Sequence, residues 1–294
     1  MAVREAVAHG LATSQRGVAD NLGGVLPADQ ATEIIERFGL AADDLLLLSL
    51  KSAEKFARPP ISGFFVGAVG REAGTGHLVF GGNLEFPGGH IGNTVHGEGF
   101  VFTRAFSRGT AIETLALGEA HPCAHCRQFL SEFAATAGLT LIDPLGHRLK
   151  MADLYPWPFD PAYLGERGIV AGEVRHSNLE LGPNALTPGA AAKLTDLGRR
   201  SHVPYCKGPS AILLALRDGA QVGGAAIESV AFNPTMSPLQ TAMIDLFAHG
   251  YAAGDIASAA IAVQPDSPVD YARHARDLLG VVALGISLET IAWA

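Results

Sequence analysis

Residues 121–129 read HPCAHCRQF and place two of the chain's three cysteines three positions apart, directly after a proline. Cys123 and Cys126 fall at the start of a predicted helix, where free N–H groups and the helix dipole favour thiolates. Pro122 suits that start, because its missing N–H is not needed there. A thiolate pair in this position predicts metal binding or redox chemistry.

A histidine and a glutamate upstream complete this pattern, where residues 95–99 read VHGEG. His96 and Glu98 are two positions apart at another predicted helix start and cannot both point the same way. His96 can therefore bind a metal ion while Glu98 reaches a water without becoming a ligand. One imidazole and two thiolates supply three zinc ligands and leave the fourth tetrahedral position to water.

A zinc ion in such a site lowers the pKa of a bound water from about 15.7 towards about 7. A carboxylate beside that water can accept its proton and pass it to a ring nitrogen and a leaving amine. H-x-E followed by P-C-x-x-C is the signature of zinc deaminases. We therefore predict Zn²⁺ as the cofactor, and the predicted metal ligands are His96, Cys123 and Cys126. Glu98 is the predicted catalytic residue.

Other interpretations of the cysteine pair remain open from the residues alone. A lone C-x-x-C is often half of a structural zinc site or a redox pair. His121, His125 or Cys206 could supply the further ligand of a closed structural site. The H-x-E motif, the proline and the helix starts favour the catalytic site. We expect His90, His121 and His125 to be solvated or to lie beside the ligands, and Cys206 to be a small buried residue.

Composition limits the classes of partner. The chain has 294 residues, which suits two domains, and 48% of them are apolar. The net charge is −8, and the 21 Lys and Arg residues form no run longer than a pair, which argues against a nucleic-acid groove. An odd count of cysteines suits a reducing compartment, and no apolar run approaches the ~20 residues of a membrane span. We expect a soluble cytoplasmic protein with a small-molecule ligand, no nucleic acid and no membrane.

The order of motifs predicts a duplication. Residues 57–86 contain a proline-containing start, a strand, a glycine turn and a second strand, and residues 201–234 repeat that order. Only the first copy is followed by the polar motif. The predicted divisions are an N-terminal helical segment, a catalytic domain, a connector rich in Pro, Trp and Tyr, and a degenerate C-terminal domain, at residues 1–48, 49–151, 152–187 and 188–294.

From about residue 50 to the end, the chain resembles cytidine deaminases of the longer, two-domain homodimeric type. The segments that carry the resemblance are FFVGA, FGGNLEF, TVHGEG, PCAHCRQF and NPTMSPLQTAM. The resemblance implies an α/β fold with three α/β/α layers and a mixed five-stranded sheet in each copy. It also implies a homodimer in which the other subunit completes each active site, with a cytosine nucleoside as the small-molecule substrate.

The resemblance also implies roles for individual residues. Asn83 and Glu85 match the family's ribose-binding Asn-x-Glu, and the N–H of Gly97 is expected to bond the base carbonyl. Phe64 matches the aromatic platform beside the pyrimidine, and Phe159 is a weaker pocket candidate from the segment FDP. Two residues match the position contributed by the partner subunit, namely Ala231 and Phe232.

Departures from the family pattern bear on substrate preference. H-G-E-G replaces the usual H-A-E-Q, FF replaces Phe-Asn, and Asp160 replaces the glycine of FGP.

The predicted reaction is hydrolytic deamination of cytidine and deoxycytidine to uridine and deoxyuridine with release of ammonia, a step of pyrimidine salvage. The alternatives are a deaminase of a modified cytosine nucleoside, a non-catalytic nucleoside-binding homologue with structural zinc, and a hydrolase of the glycosidic bond.

Overall fold

A computed structural model describes residues 1–14, 18, 21–118 and 121–294. The chain forms two compact units. The first unit comprises residues 1–85, 94–171 and 248–250, and the second comprises residues 86–93, 172–247 and 251–294. The predicted divisions at residues 48, 151 and 187 stay predictions.

The first unit contains both helices and short strands. Its helices are α1 (Ala2–Ser14), α2 (Ala28–Phe38), α3 (Ala42–Ala53), α4 (Gly97–Arg108), α5 (Ala124–Leu130) and α6 (Met151–Leu154). Its strands are β1 (Val25–Leu26), β2 (Gly67–Glu72), β3 (Leu78–Gly82), β4 (Ile112–Leu117), β5 (Thr140–Ile142) and β6 (Arg148–Lys150). The hairpin of β2 and β3 and the helix starts at His96 and Cys123 confirm the sequence predictions.

These strands form one mixed sheet in the order β1-β3-β2-β4-β5-β6. Only β4 and β5 pair in parallel, and the other neighbours are antiparallel. The resemblance predicts five strands, and the sixth is β1, which pairs Val25 with Val79 and Leu26 with Leu78. The N-terminal segment is therefore not helical throughout, because its buried Val-Leu pair extends the sheet edge.

Helices cover both faces of this sheet. Successive residues of a strand face opposite sides of the sheet, so Gly67 and Gly70 of β2, three positions apart, face opposite sides. A Cβ on Gly67 would collide with the backbone of Leu50 in α3, and a Cβ on Gly70 would collide with Val101 in α4. The two helices therefore pack on opposite faces, which gives the predicted three α/β/α layers and brings the start of α4 to the sheet.

The second unit repeats the design with fewer strands. Its helices are α7 (Pro188–Arg200), α8 (Pro238–Ala248) and α9 (Tyr271–Val282), and its strands are β7 (Ser210–Leu216), β8 (Gln221–Ala225), β9 (Ile256–Val263) and β10 (Leu288–Ala292). The sheet order is β10-β9-β7-β8, with β10 parallel to β9. Its four strands are one fewer than the resemblance predicts.

The pairing register supports the duplication. The β2–β4 ladder shifts between Arg71 and Glu72, and the β7–β9 ladder shifts between Ala215 and Leu216. Each shift falls at the end of the first hairpin strand of its copy, next to the glycine turn. A β-bulge retained at the same place in both copies indicates a common ancestor for the two sheets.

Isolated bridges give a residue-level correspondence between the copies. Leu84 pairs in parallel with Arg58 and antiparallel with Val95, and Ile227 pairs in the same way with His202 and Met236. The bridges therefore match Leu84 with Ile227. The same match assigns Ala226 as the counterpart of Asn83 and Glu228 as the counterpart of Glu85.

Among the residues that the structure describes, no helix has both the length and the apolar character to cross a membrane.

Candidate active site

His96 and Glu98 lie at the start of α4. His96 is the N-cap residue in an extended conformation, with φ of −88° and ψ of 161°, and its side chain makes no capping hydrogen bond. His96 is exposed, whereas Glu98, the second residue of the helix, is buried. The change from extended to helical backbone between them sends the two side chains in different directions, as the sequence predicts.

Cys123 and Cys126 lie at the start of α5. Cys123 is the N-cap residue, and its sulfur accepts a hydrogen bond from the N–H of Cys126 at 3.5 Å. A thiol in the N-cap position faces the free N–H groups of the first turn. Both sulfurs are thereby held on the same turn of the helix. Pro122 precedes the cap, so it occupies the entry to the helix rather than its first turn.

The two helix starts bring one nitrogen and two sulfurs together. His96 Nδ1 lies 3.5 Å from Cys123 Sγ and 3.3 Å from Cys126 Sγ. A zinc ion at about 2.3 Å from sulfur and about 2.05 Å from nitrogen, with tetrahedral angles, separates those ligand atoms by about 3.5 Å. The three groups therefore fit zinc. In the described part of the chain, this group of ligand atoms contains no fourth His, Cys, Asp or Glu.

The pKa values of the two thiols are shifted in opposite directions. The hydrogen bond from the Cys126 thiol, together with the Cys126 N–H and the neighbouring His96, lowers the pKa of Cys123 to about 4 despite partial burial. The same hydrogen bond to Cys123 raises the pKa of Cys126, and burial and the Glu98 carboxylate raise it further. Two sulfurs and a carboxylate so close together need a cation before all can be ionised. The electrostatics therefore also suit a dication.

Glu98 is a buried neighbour of the Cys126 thiol. Burial raises the pKa of its carboxyl group, and the Cys126 thiol is within hydrogen-bonding contact of it. An isolated buried carboxylate is unfavourable unless it is paired with a charge or hydrogen-bonded. The side chain is thus positioned next to the metal ligands while remaining outside their set.

Asn83 and Glu85 hold a loop that precedes β2. The Asn83 side chain accepts from Val66 N at 3.0 Å and donates to the Phe64 carbonyl at 2.9 Å. The Glu85 carboxylate accepts from Ile61 N at 2.8 Å. It also accepts from the N–H and the hydroxyl of Ser62.

Desolvation raises the pKa of Glu85, but the hydrogen bonds from Ser62 and Ile61 together outweigh it, so the pKa is lowered overall. Carboxylate and amide groups have spare lone pairs and protons beyond these contacts. A ribose role for Asn83 and Glu85 stays a prediction.

Phe64 and Phe159 are both partly exposed. Phe64 lies on the loop held by Asn83, with 56% of its surface accessible. Phe159 stacks on Tyr163 at 5.7 Å between ring centroids. Neither ring is part of the buried core, so both remain available for a ligand, and their roles stay predictions.

Two neighbours of Cys126 were missed by the sequence analysis. Arg127 donates from Nε to the Pro122 carbonyl at 2.6 Å and from its terminal nitrogen to the Leu154 carbonyl at 2.7 Å. Gln128 donates to the Phe159 carbonyl at 2.8 Å and accepts from Phe159 N at 3.2 Å. Both residues belong to PCAHCRQF, but only the folded chain reveals that they tie the residues before and after the cysteine helix to it.

The other residues named from the sequence lie at the start of α4 and in the second unit. Gly97 is the first residue of α4, where the N–H groups have no partner within the helix. Ala231 and Phe232 belong to the second unit, and Phe232 is exposed with φ of 61°. Their expected role concerns a second subunit and stays a prediction. Cys206, in the same unit, is half-buried and accepts a hydrogen bond from Gly208 N.

Comparison with known proteins agrees with this geometry. Residues 41–140 and residues 156–276 each match a family model described as the cytidine and deoxycytidylate deaminase zinc-binding region. The cytidine deaminase of Vibrio atlanticus is 32% identical over 274 residues, which cover 86% of this chain and 91% of that protein. The chain belongs to the cytidine deaminase family.

Further relatives extend the cytidine deaminase match. The cytidine deaminase of Cronobacter sakazakii is 36% identical over 248 residues, covering 83% of this chain and 81% of that protein. The crystal structure of cytidine deaminase from Mycobacterium tuberculosis covers 41% of this chain and 98% of its own at 28% identity, with a TM-score of 0.37. Membership of the cytidine deaminase family rests on the sequence matches, which also identify zinc as the metal of this family region.

Proposed function

We propose that the chain deaminates cytidine and deoxycytidine hydrolytically, with release of ammonia. The observation that carries the proposal is the convergence of His96 Nδ1 with the sulfurs of Cys123 and Cys126 at 3.3–3.5 Å. The buried carboxyl group of Glu98 next to these ligands supplies an acid–base group that is not itself a ligand. The relatives named cytidine deaminase support the same reaction.

The three ligands would hold zinc and leave one coordination position for a reactant. When bound there, zinc supplies Lewis-acid activation of water at neutral pH. Glu98 accepts a proton from the attacking water and delivers it to N3 of the cytosine ring. It then accepts the proton of the hydroxyl group now attached to C4 and delivers that proton to the amino group, which departs as ammonia while C4 becomes a carbonyl. Burial excludes bulk water from these transfers and strengthens each hydrogen bond.

The substrate is positioned by groups around the zinc ligands. The Gly97 N–H is directed out of the first turn of α4 and is proposed to bond the base carbonyl. Asn83 and Glu85 are proposed to hold the ribose hydroxyls with their spare capacity. Phe64 is proposed as a face for the pyrimidine ring and Phe159 as part of the pocket wall.

We further propose a homodimer in which the other subunit contributes Ala231 and Phe232 to the site. Large apolar side chains on the loop before β2 support a covered state, because Ile61, Phe64 and Phe65 are each more than half exposed. Phe232 itself is 64% exposed. Mixing His96→Ser subunits with Phe232→Ala subunits tests this, since a shared site restores activity in one of the two sites of each mixed dimer.

We also propose that the enzyme works in the cytoplasm. The supporting observation is chemical, because a pair of thiolate ligands stays available to zinc only where thiols are kept reduced. Cell fractionation with an antibody against the chain tests this location.

Product analysis tests the reaction. The purified zinc-loaded enzyme is incubated with cytidine, deoxycytidine and 5-substituted cytosine nucleosides, and the products are identified by mass. Uridine and deoxyuridine are expected. Free cytosine would indicate glycosidic hydrolysis, and turnover of substituted nucleosides alone would indicate a modified substrate.

Glu98→Gln is the matched variant for this experiment. Its shape is unchanged, but it cannot take up a proton, so the turnover rate is expected to fall about 10²- to 10⁴-fold while zinc is retained. Equal rates in the two proteins would remove Glu98 from the mechanism. The non-catalytic alternative is not favoured, since the relatives are named as deaminases and the carboxyl group is in place.

A further inference from the structure

A second group of metal-type ligands lies outside the proposed zinc site. His121 Nε2 is 3.0 Å from Asp143 Oδ2, and His147 Nδ1 is 2.8 Å from the same oxygen. One ligand atom from each of the three side chains lies within 4.8 Å of the others. Two imidazoles and one carboxylate oxygen thus converge on one point.

The turn between β5 and β6 orients the carboxylate. Asp143 Oδ1 accepts hydrogen bonds from Leu145 N at 2.9 Å and His147 N at 3.1 Å. Gly146 has φ of 89° and donates its N–H to the Asp143 carbonyl. The bonds from Leu145 and His147 occupy Oδ1, and Oδ2 faces the two rings. Hydrogen bonds of this kind orient the ligands of metal sites.

One ring nitrogen of His121 lacks a hydrogen bond. Its Nε2 is buried and has no partner with hydrogen-bond geometry, although Asp143 Oδ2 is only 3.0 Å away. A buried nitrogen without a hydrogen-bond partner has lost its contact with water and gained nothing in return, which destabilises the fold unless a ligand binds it. Two ligand atoms at about 2.1 Å from one ion, at angles between 90° and 109°, lie about 3.0–3.4 Å apart. The two N–O distances are close to that range.

We propose that His121, Asp143 and His147 form a second binding site for a divalent transition metal. Imidazole nitrogens favour Zn²⁺, Co²⁺ or Ni²⁺ over Mg²⁺ and Ca²⁺, which prefer sites made of oxygen. The site has no thiolate, and half of the His147 side chain is exposed. Its ion therefore exchanges more readily than one held by Cys123 and Cys126.

An ion in this site would connect two parts of the first unit. His121 is two positions before Cys123, and Asp143 and His147 lie on the turn between β5 and β6. The bound metal would therefore restrain the segment that leads into the cysteine helix. This role is separate from turnover, so the site is testable whether or not the proposed reaction is correct.

Cobalt titration of the zinc-loaded enzyme tests the site. The protein is dialysed to one zinc equivalent per chain, and Co²⁺ binding is followed by calorimetry and visible absorption. One further equivalent is expected, without the thiolate-to-cobalt absorption that would mark exchange at the cysteines. His147→Ala should lose this equivalent and keep its zinc, whereas His9→Ala, an exposed histidine of α1, should bind as the wild type does.

A structural measurement covers the case in which the variant folds poorly. Anomalous scattering from wild-type crystals soaked in Co²⁺ should give a peak among the three side chains. Absence of a second equivalent in the wild type, a peak elsewhere, or an unchanged second equivalent in folded His147→Ala would each overturn the proposal. The last result would indicate adventitious surface binding.

Discussion

The starts of α4 and α8 occupy equivalent positions in the two copies but are built differently. The bridge of Val95 to Leu84 corresponds to that of Met236 to Ile227, so His96 corresponds to Ser237. In the second copy, Ser237 Oγ accepts from Gln240 N and Gln240 Oε1 accepts from Ser237 N, which is a capping box. In the first copy, His96 makes no capping hydrogen bond.

The difference shows where stability and chemistry compete. A side-chain cap stabilises a helix by about 1 kcal/mol, and the first copy forgoes it at α4 by placing an imidazole at the cap. Glu98 has Leu239 as its counterpart, so a buried carboxyl group is replaced by a fully buried apolar side chain. Helix α9 follows β9 as α5 follows β4. Its N-cap is Asp270, whose side chain accepts a hydrogen bond from Arg273 N, whereas the N-cap of α5 is Cys123.

A second comparison shows what both copies retain. Glu228 accepts from Tyr205 N and Cys206 N at 3.0 and 3.2 Å, as Glu85 accepts from the N–H groups of Ile61 and Ser62. Loop anchoring by this glutamate therefore exists in a copy without the zinc motif. Glu85 has an architectural function that is independent of any contact with ribose.

The largest effect is expected from giving α4 the cap residue of α8. His96→Ser removes the only imidazole among the three proposed ligands, so zinc at the thiolates should fall from one equivalent to none and deamination should become undetectable. Metal analysis and the cobalt–thiolate absorption of the cobalt-substituted protein measure this. Cys206→Ser, the third cysteine, is the control and should keep both properties. Retained zinc in His96→Ser would refute the ligand assignment.

The next largest effect concerns the bulge, where Glu72 corresponds to Leu216. Glu72 is buried and accepts from Arg108 Nε at 2.6 Å, and breaking such a pair costs about 3 kcal/mol or more. Glu72→Gln should therefore lower the free energy of unfolding of the first unit by about 3 kcal/mol. Glu113→Gln, at an exposed pair with Arg71, should change it by less than about 1 kcal/mol.

The effect of Glu72 should depend on pH. Burial alone would raise the pKa of Glu72, but hydrogen bonds from Arg108 and Thr110 lower it overall. A lowered pKa stabilises the fold above the unfolded value of about 4.3 and loses that contribution as the pH falls through the folded value. The difference between wild type and Glu72→Gln in urea unfolding should be constant near neutrality and shrink below about pH 4. A difference independent of pH would exclude the ionised pair as its source.

A smaller effect separates the two loop-anchoring glutamates. Glu85→Gln should raise the KM for cytidine about tenfold, which corresponds to about 1.4 kcal/mol of a charge-assisted hydrogen bond. Glu228→Gln weakens the equivalent loop in the second copy and should leave KM unchanged. Steady-state kinetics at full zinc occupancy measure both. An unchanged KM in Glu85→Gln would restrict Glu85 to anchoring.

The smallest effect is expected at the cap of the second copy. Ser237→Ala removes the bond to Gln240 N and should destabilise the second unit by about 1 kcal/mol. Zinc content should remain at the wild-type value. Chemical unfolding with metal analysis provides the measurement. A change in zinc content would show that this cap supports the metal centre, contrary to the separation of roles described above.

Local patterns predicted much of the fold and the centre of the site. The hairpin and the helix starts at His96 and Cys123 follow from the glycine turn, the proline and the cap positions, which act within a few residues. The strand β1 was missed because two apolar residues give no periodic pattern. Arg127 and Gln128 were missed because their partners, Leu154 and Phe159, lie about 30 residues away in the chain.

The amino-acid sequence by itself determined the chemistry of the ligands, the places where helices begin and the repeated order of strands. These features depend on side-chain type and on neighbours along the chain. Only the tertiary structure decided that His96 meets both sulfurs, that Glu85 and Glu228 anchor equivalent loops, and that His121 joins Asp143 and His147. These contacts depend on strand register and helix packing, which bring together residues that are distant in sequence and carry no local signal of their partners.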